Sequence, residues 1–559
     1  MLYLSMFVMG GCGLAYEYTV SKLSSDLLGN SARQWAIIIG VMMFFMGVGA
    51  DAQKYLRSRS LIDKLILAEI ALGVVGGFGP ILLLHTYVSS LESYVAVQYL
   101  LIATIGLLIG LEIPILTRVN AEAAAVGASA RGSAEDGAAA DRELRFNLGG
   151  ILKMDYVGAL AGALVWVFVL PRLFSLTTGA FVLGLLNVLA AATALLYFRR
   201  RVERPRELVA ALGVAVVALW VGLAHADGWT HTAEQGLYRD RIVYAETTPF
   251  QHIVLTQSTA GDVALYLNGH LQLHSYDEHI YHESLVHPAM AAAGARRRVL
   301  ILGGGDGLAL REVLRYDDVE SVTLVDIDPA ITRLAAESPY LVGLNRGSLE
   351  SARVVIPPGA GVTAGAEAAA PAATHRQAGD PSVAPGRVRV VNLDALVMLE
   401  RATGSFDVIL VDFPDPNALE LSKLYSVEAY RLLRSKLSAD GVVAVQSTSP
   451  ARARDAFLCV GRTLRAAGLS AVPYHEYVPS FGDWGWWIAS RDDRISEPRL
   501  RERLRGITRI PVPTRHVTPD TIAASLVFGR EALETERAEI NTLARDVIYR
   551  YYLDAWRRL

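Results

Sequence analysis

The sequence predicts an α-helical transmembrane bundle of about seven spans, followed by an α/β, Rossmann-like domain with a small N-terminal β-hairpin subdomain. Three observations predict it. Apolar segments long enough to cross a bilayer recur through the first 226 residues and then stop. Residues 298–329 read as strand, glycine turn, helix, strand and terminal acid, the nucleoside-binding half of a doubly wound sheet. Acidic residues then recur where further parallel strands end.

In the first half, apolar segments of about 20 residues lie near 2–23, 35–52, 65–88, 94–116, 156–174, 180–198 and 208–226. Recurrence on this scale excludes a single cleaved signal peptide and predicts a multi-pass protein of a bacterial inner membrane, with lipid as a partner. Gly10, Gly11, Gly13, Gly158 and Gly162 offer small faces for close helix packing. Glu17, Glu69 and Glu112 lie within or at the ends of spans, as a polar pathway or as carboxyls internal to the bundle. Basic loops at 54–64 and 199–206 belong in the cytoplasm by the positive-inside rule. Seven spans would then deliver the second half to the opposite face.

From residue 227 the chain reads as soluble: a linker and β subdomain over 227–296, a Rossmann-like domain over 297–495 and a helical tail over 496–559. Strands are expected at 251–257, 263–267 and 270–275, with Asn268-Gly269 as a hairpin turn. Asp277 is placed to cap a helix carrying Tyr281, His282 and His287. Further strands follow at 299–302, 321–325, 388–392, 406–412 and 441–446, with a closing hairpin over 472–490. The Ala-, Gly- and Pro-rich stretch 357–386 predicts a disordered insert. Periodicity over 531–559 predicts a solvated packing helix.

The chemistry is carried by acids. Asp306 sits inside the glycine turn Gly303, Gly304, Gly305, Gly307, where a pyrophosphate would be repelled, so the turn favours a ligand presenting a cation. Asp326, Asp394, and Asp412 with Asp415 end successive strands, on the edge where open α/β sheets bind ligands. Five aspartates on one edge suit a polycationic ligand or ligand pair. A net charge of −3 with 19% charged residues points to no nucleic-acid partner. The two cysteines supply neither a disulfide framework nor a metal knuckle. His270, His274, His279, His282 and His287 are scattered over a hairpin and a helix face, so no metal site is expected. Trp484, Trp486 and Trp487 read as sheet packing.

GGGDG at Gly303–Gly307, DEHIYHE at Asp277–Glu283, DFPDP at Asp412–Pro416 and KLYSVEAYRLL at Lys423–Leu433 together resemble the polyamine aminopropyltransferase (spermidine synthase) family. The spans and the LAYE piece at Leu14–Glu17 resemble its membrane-bound branch. The resemblance implies an S-adenosylmethionine-type fold and transfer of the aminopropyl group of decarboxylated S-adenosylmethionine to putrescine or a related polyamine. That donor is a co-substrate; no permanently bound cofactor is implied, and homo-oligomerisation is left open. By the same resemblance Asp412 accepts the proton. Gln251, Gly303, Gly305, Asp306, Asp326, Asp394 and Ala395 meet the donor. Gln272, Tyr281, His282, Asp306, Asp412, Asp415 and Tyr477 line the amine site. A donor made in the cytosol argues for the opposite membrane side to the charge bias. Two rival readings are an ordinary methyltransferase on the same fold and a membrane polyamine transporter or sensor that binds without reacting. The sequence departs from the family at Asp326 (usually Glu), Ala395 (often Gly in soluble members), Asn417-Ala418-Leu419 (usually Gly-Pro) and the extra insert.

Overall fold

A computed structural model of the protein describes residues 2–28, 31–56, 60–129, 136–350, 353–355, 387–535 and 537–556. The expected insert at 357–386 lies outside the described residues. The chain divides into two compact units, Met1–Arg241 and Ile242–Leu559.

The first unit is helical. Among the described residues, six helices are long and apolar enough to cross a membrane: Arg33–Tyr55, Leu61–Ser89, Leu91–Val119, Gly149–Leu173, Leu176–Tyr197 and Pro205–Gln235. The first span, expected near 2–23, lies in the 27-residue helix Leu2–Leu28, which is not among these six. Its composition explains the difference. Ser5, Tyr16, Glu17, Thr19, Ser21 and Ser24 on it are all buried, so neighbouring helices rather than lipid meet its polar face. Ser24 Oγ accepts from Tyr94 Oη at 2.9 Å and Gln98 Nε2 at 3.0 Å. Backbones approach so closely at the glycines that a Cβ on Gly162 would lie 2.3 Å from the Gly11 carbonyl oxygen. Glu69 and Glu112 are buried in the bundle, and Asn187 Nδ2 donates to Glu69 Oε2 at 3.3 Å.

The second unit holds two sheets. Where a small hairpin was expected, four strands form an antiparallel sheet in sequence order: β1 (Arg241–Thr247), β2 (His252–Gln257), β3 (Val263–Leu267) and β4 (His270–His274). Asn268, at φ +50°, and Gly269 turn β3 into β4. The larger sheet contains β5 (Arg298–Gly303), β6 (Ser321–Asp326), β7 (Arg353–Val355), β8 (Val388–Asn392), β9 (Phe406–Asp412), β10 (Leu437–Gln446), β11 (Leu469–Val478) and β12 (Gly482–Arg491). Its order is β11-β12-β10-β9-β5-β6-β8-β7. The strands from β10 across to β7 pair in parallel, and β11–β12 form an antiparallel hairpin on the β10 edge. Unbroken apolar runs such as Val299–Leu302 and Val408–Val411 are fully buried, because both faces of this sheet are covered. The chain leaves β5 for β6 on one side and returns to β9 on the other. That reversal opens the crevice in which such sheets bind ligands.

Two expectations change. Asp277 occupies the N-cap position of the helix Glu278–Ala292 but makes no cap bond. Its Oδ1 accepts instead from Ser480 Oγ at 3.0 Å, tying the helix start to the β11–β12 turn. Among the described residues the tail is helical over Glu497–Arg505, Pro519–Ser525 and Val547–Trp556, so only the last of these lies within the helix expected at 531–559, and it is not a solvated element. Val547, Ile548 and Tyr552 belong to the buried core under the larger sheet. Asn541, fully buried, anchors the tail: its Nδ2 donates to the Ser422 carbonyl at 2.9 Å and its carbonyl accepts from Val427 N at 2.9 Å.

Candidate active site

β5 and β9 run in register, with Gly303 opposite Asp412, so the glycine turn and the DFPDP motif emerge side by side at the crevice. Gly303 has φ +81°, and a Cβ there would lie 2.1 Å from the Asp412 carbonyl oxygen. On the next residues the turn is flanked by two carboxylates. A Cβ on Gly304 would lie 3.1 Å from Asp412 Oδ2, and one on Gly305 2.5 Å from Asp326 Oδ2. Asp326 accepts from Gly305 N at 3.0 Å and Asp328 N at 2.9 Å. Burial pushes its carboxyl up to about 7 against those two bonds. Asp306 turns Oδ1 onto Leu308 N at 2.8 Å, and its charge is felt at Asp326, Asp412 and His282.

Asp412 Oδ1 accepts from Tyr281 Oη at 2.6 Å. Burial raises its carboxyl to about 6, with His282 and Tyr281 opposing and Asp306 adding to the rise. Tyr281 is 7% exposed, and its ring is held by Trp486 at 5.5 Å and Phe481 at 6.0 Å. Trp486 therefore packs the sheet, as expected, and also supports the tyrosine. His282 Nδ1 lies 2.7 Å from the Glu278 carbonyl and 3.1 Å from Glu278 Oε2, and Glu278 is paired with Arg311 at 2.9 Å. Burial alone would lower His282, but Glu278, Asp306 and Asp412 outweigh it and hold the imidazole at about 9. At neutral pH this histidine is a cation.

Asp415 is held by the end of β10 and the loop beyond it. Gln446 Nε2 reaches Asp415 Oδ1 at 3.1 Å, and Thr448 Oγ1 donates to Oδ2 at 3.0 Å. The tail's Tyr552 hydroxyl lies beside the same carboxylate. Burial raises Asp415 to about 6, and these three groups restrain the rise.

The charge of Asp306 thus reaches both Asp326 and Asp412, and Asp412 and Asp415 both act on Tyr281. Asp394 differs. It caps the helix Ala395–Arg401 through Leu396 N at 2.9 Å and pairs with Lys423 at 2.7 Å. Despite partial burial, Lys423 and the cap bonds lower its carboxyl. Ala395 is buried in the first turn of that helix. Gln251 Nε2 donates to Asp328 Oδ2 at 3.0 Å, linking the smaller sheet to the loop after β6. Gln272 turns its amide onto the His270 carbonyl at 3.1 Å. Tyr477, 62% exposed, sits opposite Asp483 on β11. Among the described residues, Gln272, His282 and Tyr477 make no hydrogen bond to an aspartate of the cleft, although the charges of Asp306 and Asp412 reach His282.

Sequence reasoning missed Asp328, Gln446, Thr448 and Tyr552. The polar run Gln446–Ser449 directly after an apolar strand was a readable signal for two of them. Tyr552 carried none, since its periodicity fits any packing helix. Among the described residues, Glu283, His287 and Glu312 have ligand atoms within 4.8 Å of one another. Protein donors already occupy them. Glu283 accepts from the amides of Arg515, His516 and Val517, and Glu312 pairs with Arg311 and Arg315.

The spermine/spermidine synthase domain model matches residues 278–364 and 376–499, a range that includes β5 to β12 and every aspartate of the cleft. The family match makes this a transferase enzyme on a Rossmann-like fold. Polyamine aminopropyltransferase 2 of Ralstonia nicotianae is 36% identical, over 100% of this chain and 98% of its own length. Polyamine aminopropyltransferase 1 of Streptomyces coelicolor is 38% identical over 100% and 94%, and the Leptospira interrogans polyamine aminopropyltransferase 34% over 100% and 99%. This chain belongs to the polyamine aminopropyltransferase family.

Proposed function

We propose that the protein transfers the aminopropyl group of decarboxylated S-adenosylmethionine to putrescine or a related diamine, giving spermidine and methylthioadenosine. The observation that carries this reading is Asp412, a half-buried carboxylate bonded to Tyr281 at 2.6 Å and raised to about 6. A free alkyl ammonium has a pKa of about 10.4, so the nucleophile must lose a proton before it can attack. A carboxylate lifted toward neutrality, yet still ionised at pH 7, is a better acceptor than an ordinary one.

In this reading the Asp412 carboxylate takes one proton from the acceptor's ammonium. The freed nitrogen lone pair attacks the methylene carbon attached to the sulfonium. The new C–N bond forms as the C–S bond breaks, and its electron pair returns to sulfur as neutral methylthioadenosine leaves. Alignment of nitrogen, carbon and sulfur supplies much of the remaining acceleration. Asp306 pairs with the donor's aminopropyl ammonium and repels any donor still carrying the amino-acid carboxylate. Asp326 accepts the ribose hydroxyls, and Asp394 with Ala395 faces the adenine, Gln251 lying on the donor side with Gly303 and Gly305. Asp415 holds the far ammonium of the diamine, with Tyr281, His282, Gln272 and Tyr477 around the amine. No permanently bound cofactor is needed.

The test is incubation of the purified chain with decarboxylated donor and putrescine. Methylthioadenosine should appear, and none from any diamine or triamine would overturn the proposal. Asp412→Asn should lower kcat by about 10²–10⁴-fold while donor binding survives; unchanged turnover would remove Asp412 from its role.

A further inference from the structure

Thr448 has φ +61° and is 1% exposed. For a β-branched residue that backbone region is a genuine outlier, costing on the order of a kcal/mol or more and persisting only where the surroundings enforce it. The surroundings here are explicit. Thr448 N donates to Gln446 Oε1 at 2.9 Å, and the Thr448 carbonyl accepts from Gly485 N at 2.9 Å. The strained backbone delivers one thing to the cleft: Thr448 Oγ1, 3.0 Å from Asp415 Oδ2. Gln446 Nε2 holds the other oxygen at 3.1 Å and is itself fixed on the Phe413 carbonyl at 2.7 Å. The Asp415 carboxylate is thereby gripped at both oxygens.

We propose that Thr448 is a positioning residue for the acceptor: by locking Asp415 in one orientation it makes the site select amines that carry a second ammonium at a fixed distance from the reacting one. The inference rests on the acceptor role given to Asp415 above. A carboxylate free to swing would meet a single ammonium and a double one more equally. A carboxylate held apart from Asp412 rewards only the doubly charged chain. Glycine would tolerate the backbone at this position without strain, so a residue that needs enforcement there is retained for its hydroxyl.

The experiment compares putrescine with butylamine, the monoamine of equal chain length, on the full-length protein. Thr448→Val keeps the shape and deletes the hydroxyl. It should lower the diamine-to-monoamine ratio of kcat/KM about tenfold, as expected for losing one hydrogen bond to a charged group, with the loss falling on the KM for putrescine. Thr448→Ser should restore the ratio. Thr448→Gly, which relieves the backbone and so folds without strain, should show the same loss of selectivity together with a higher melting temperature. A merely structural threonine would change melting temperature and leave the ratio alone. An unchanged ratio in both Thr448→Val and Thr448→Gly, or a loss that Thr448→Ser does not restore, overturns the proposal. A wild-type protein inactive with every amine would instead remove the reading on which it rests.

Discussion

Asp412 carries two opposed demands. Burial lifts its carboxyl from 3.8 to about 6, which in the proposed reaction serves proton transfer but makes the ionised form costly to the folded state. The direction of the shift sets the sign: a carboxylic acid raised on folding favours the native state most below its unfolded value. That advantage is lost as pH rises through about 6. Asp412→Asn, with an amide oxygen still able to accept from Tyr281, should therefore raise the apparent melting temperature most at pH 7.5 and about half as much at pH 5, which lies between 3.8 and about 6. Thermal unfolding at the two values checks this; equal effects at both would show that the charge carries no cost. The turnover profile should correspondingly have an acid limb near pH 6, above the ordinary carboxylate range.

Among the elements, the glycine turn after β5 is fixed by what flanks it. A methyl group on Gly305 would lie 2.5 Å from Asp326 Oδ2 and 2.8 Å from Ile331 Cγ2. Gly305→Ala should displace the Asp326 carboxylate and raise the donor KM about tenfold or more, the scale of one lost charge-assisted bond, while the amine KM holds. Donor and amine titrations separate the two; a shift in the amine KM alone would refute the assignment. Much of this level was legible in the sequence. Strand runs bounded by turn residues give β3, β8 and β9 to the residue, β3 in the antiparallel sheet and β8 and β9 as parallel strands of the larger one. The first helix stands apart from the six apolar ones, because a hydrophobicity count cannot tell a lipid-facing helix from one whose polar face is sheltered by its neighbours. The tail was misjudged for a related reason. Periodicity reports that a helix has an apolar side, and Val547, Ile548 and Tyr552 meet the core only through folding that no local signal encodes. At the site, Asp412 and Asp415 were readable from a strand-end motif, whereas Thr448 acts through a backbone twist visible only in three dimensions.

On the scale of the whole chain, the six apolar helices make a topological prediction. Lys54 and Arg200 are exposed, and four of those helices, Leu61–Ser89 to Leu176–Tyr197, lie between them. Four crossings return the chain to its starting face, and the surrounding basic residues assign that face to the cytoplasm. Both native cysteines are buried, so Lys54→Cys and Arg200→Cys introduce single reactive thiols. Impermeant maleimide should label both from the cytoplasmic side; labelling from opposite sides would mean that one of the four helices does not cross. The anchoring of the tail also sets an order of events during synthesis. Asn541 and Tyr552 are translated after every strand of the larger sheet, yet they complete the core beneath Asp415. A nascent chain still lacks the tyrosine hydroxyl beside Asp415 while this stretch is in the ribosomal tunnel, so the surroundings of that carboxylate are completed only once it has emerged.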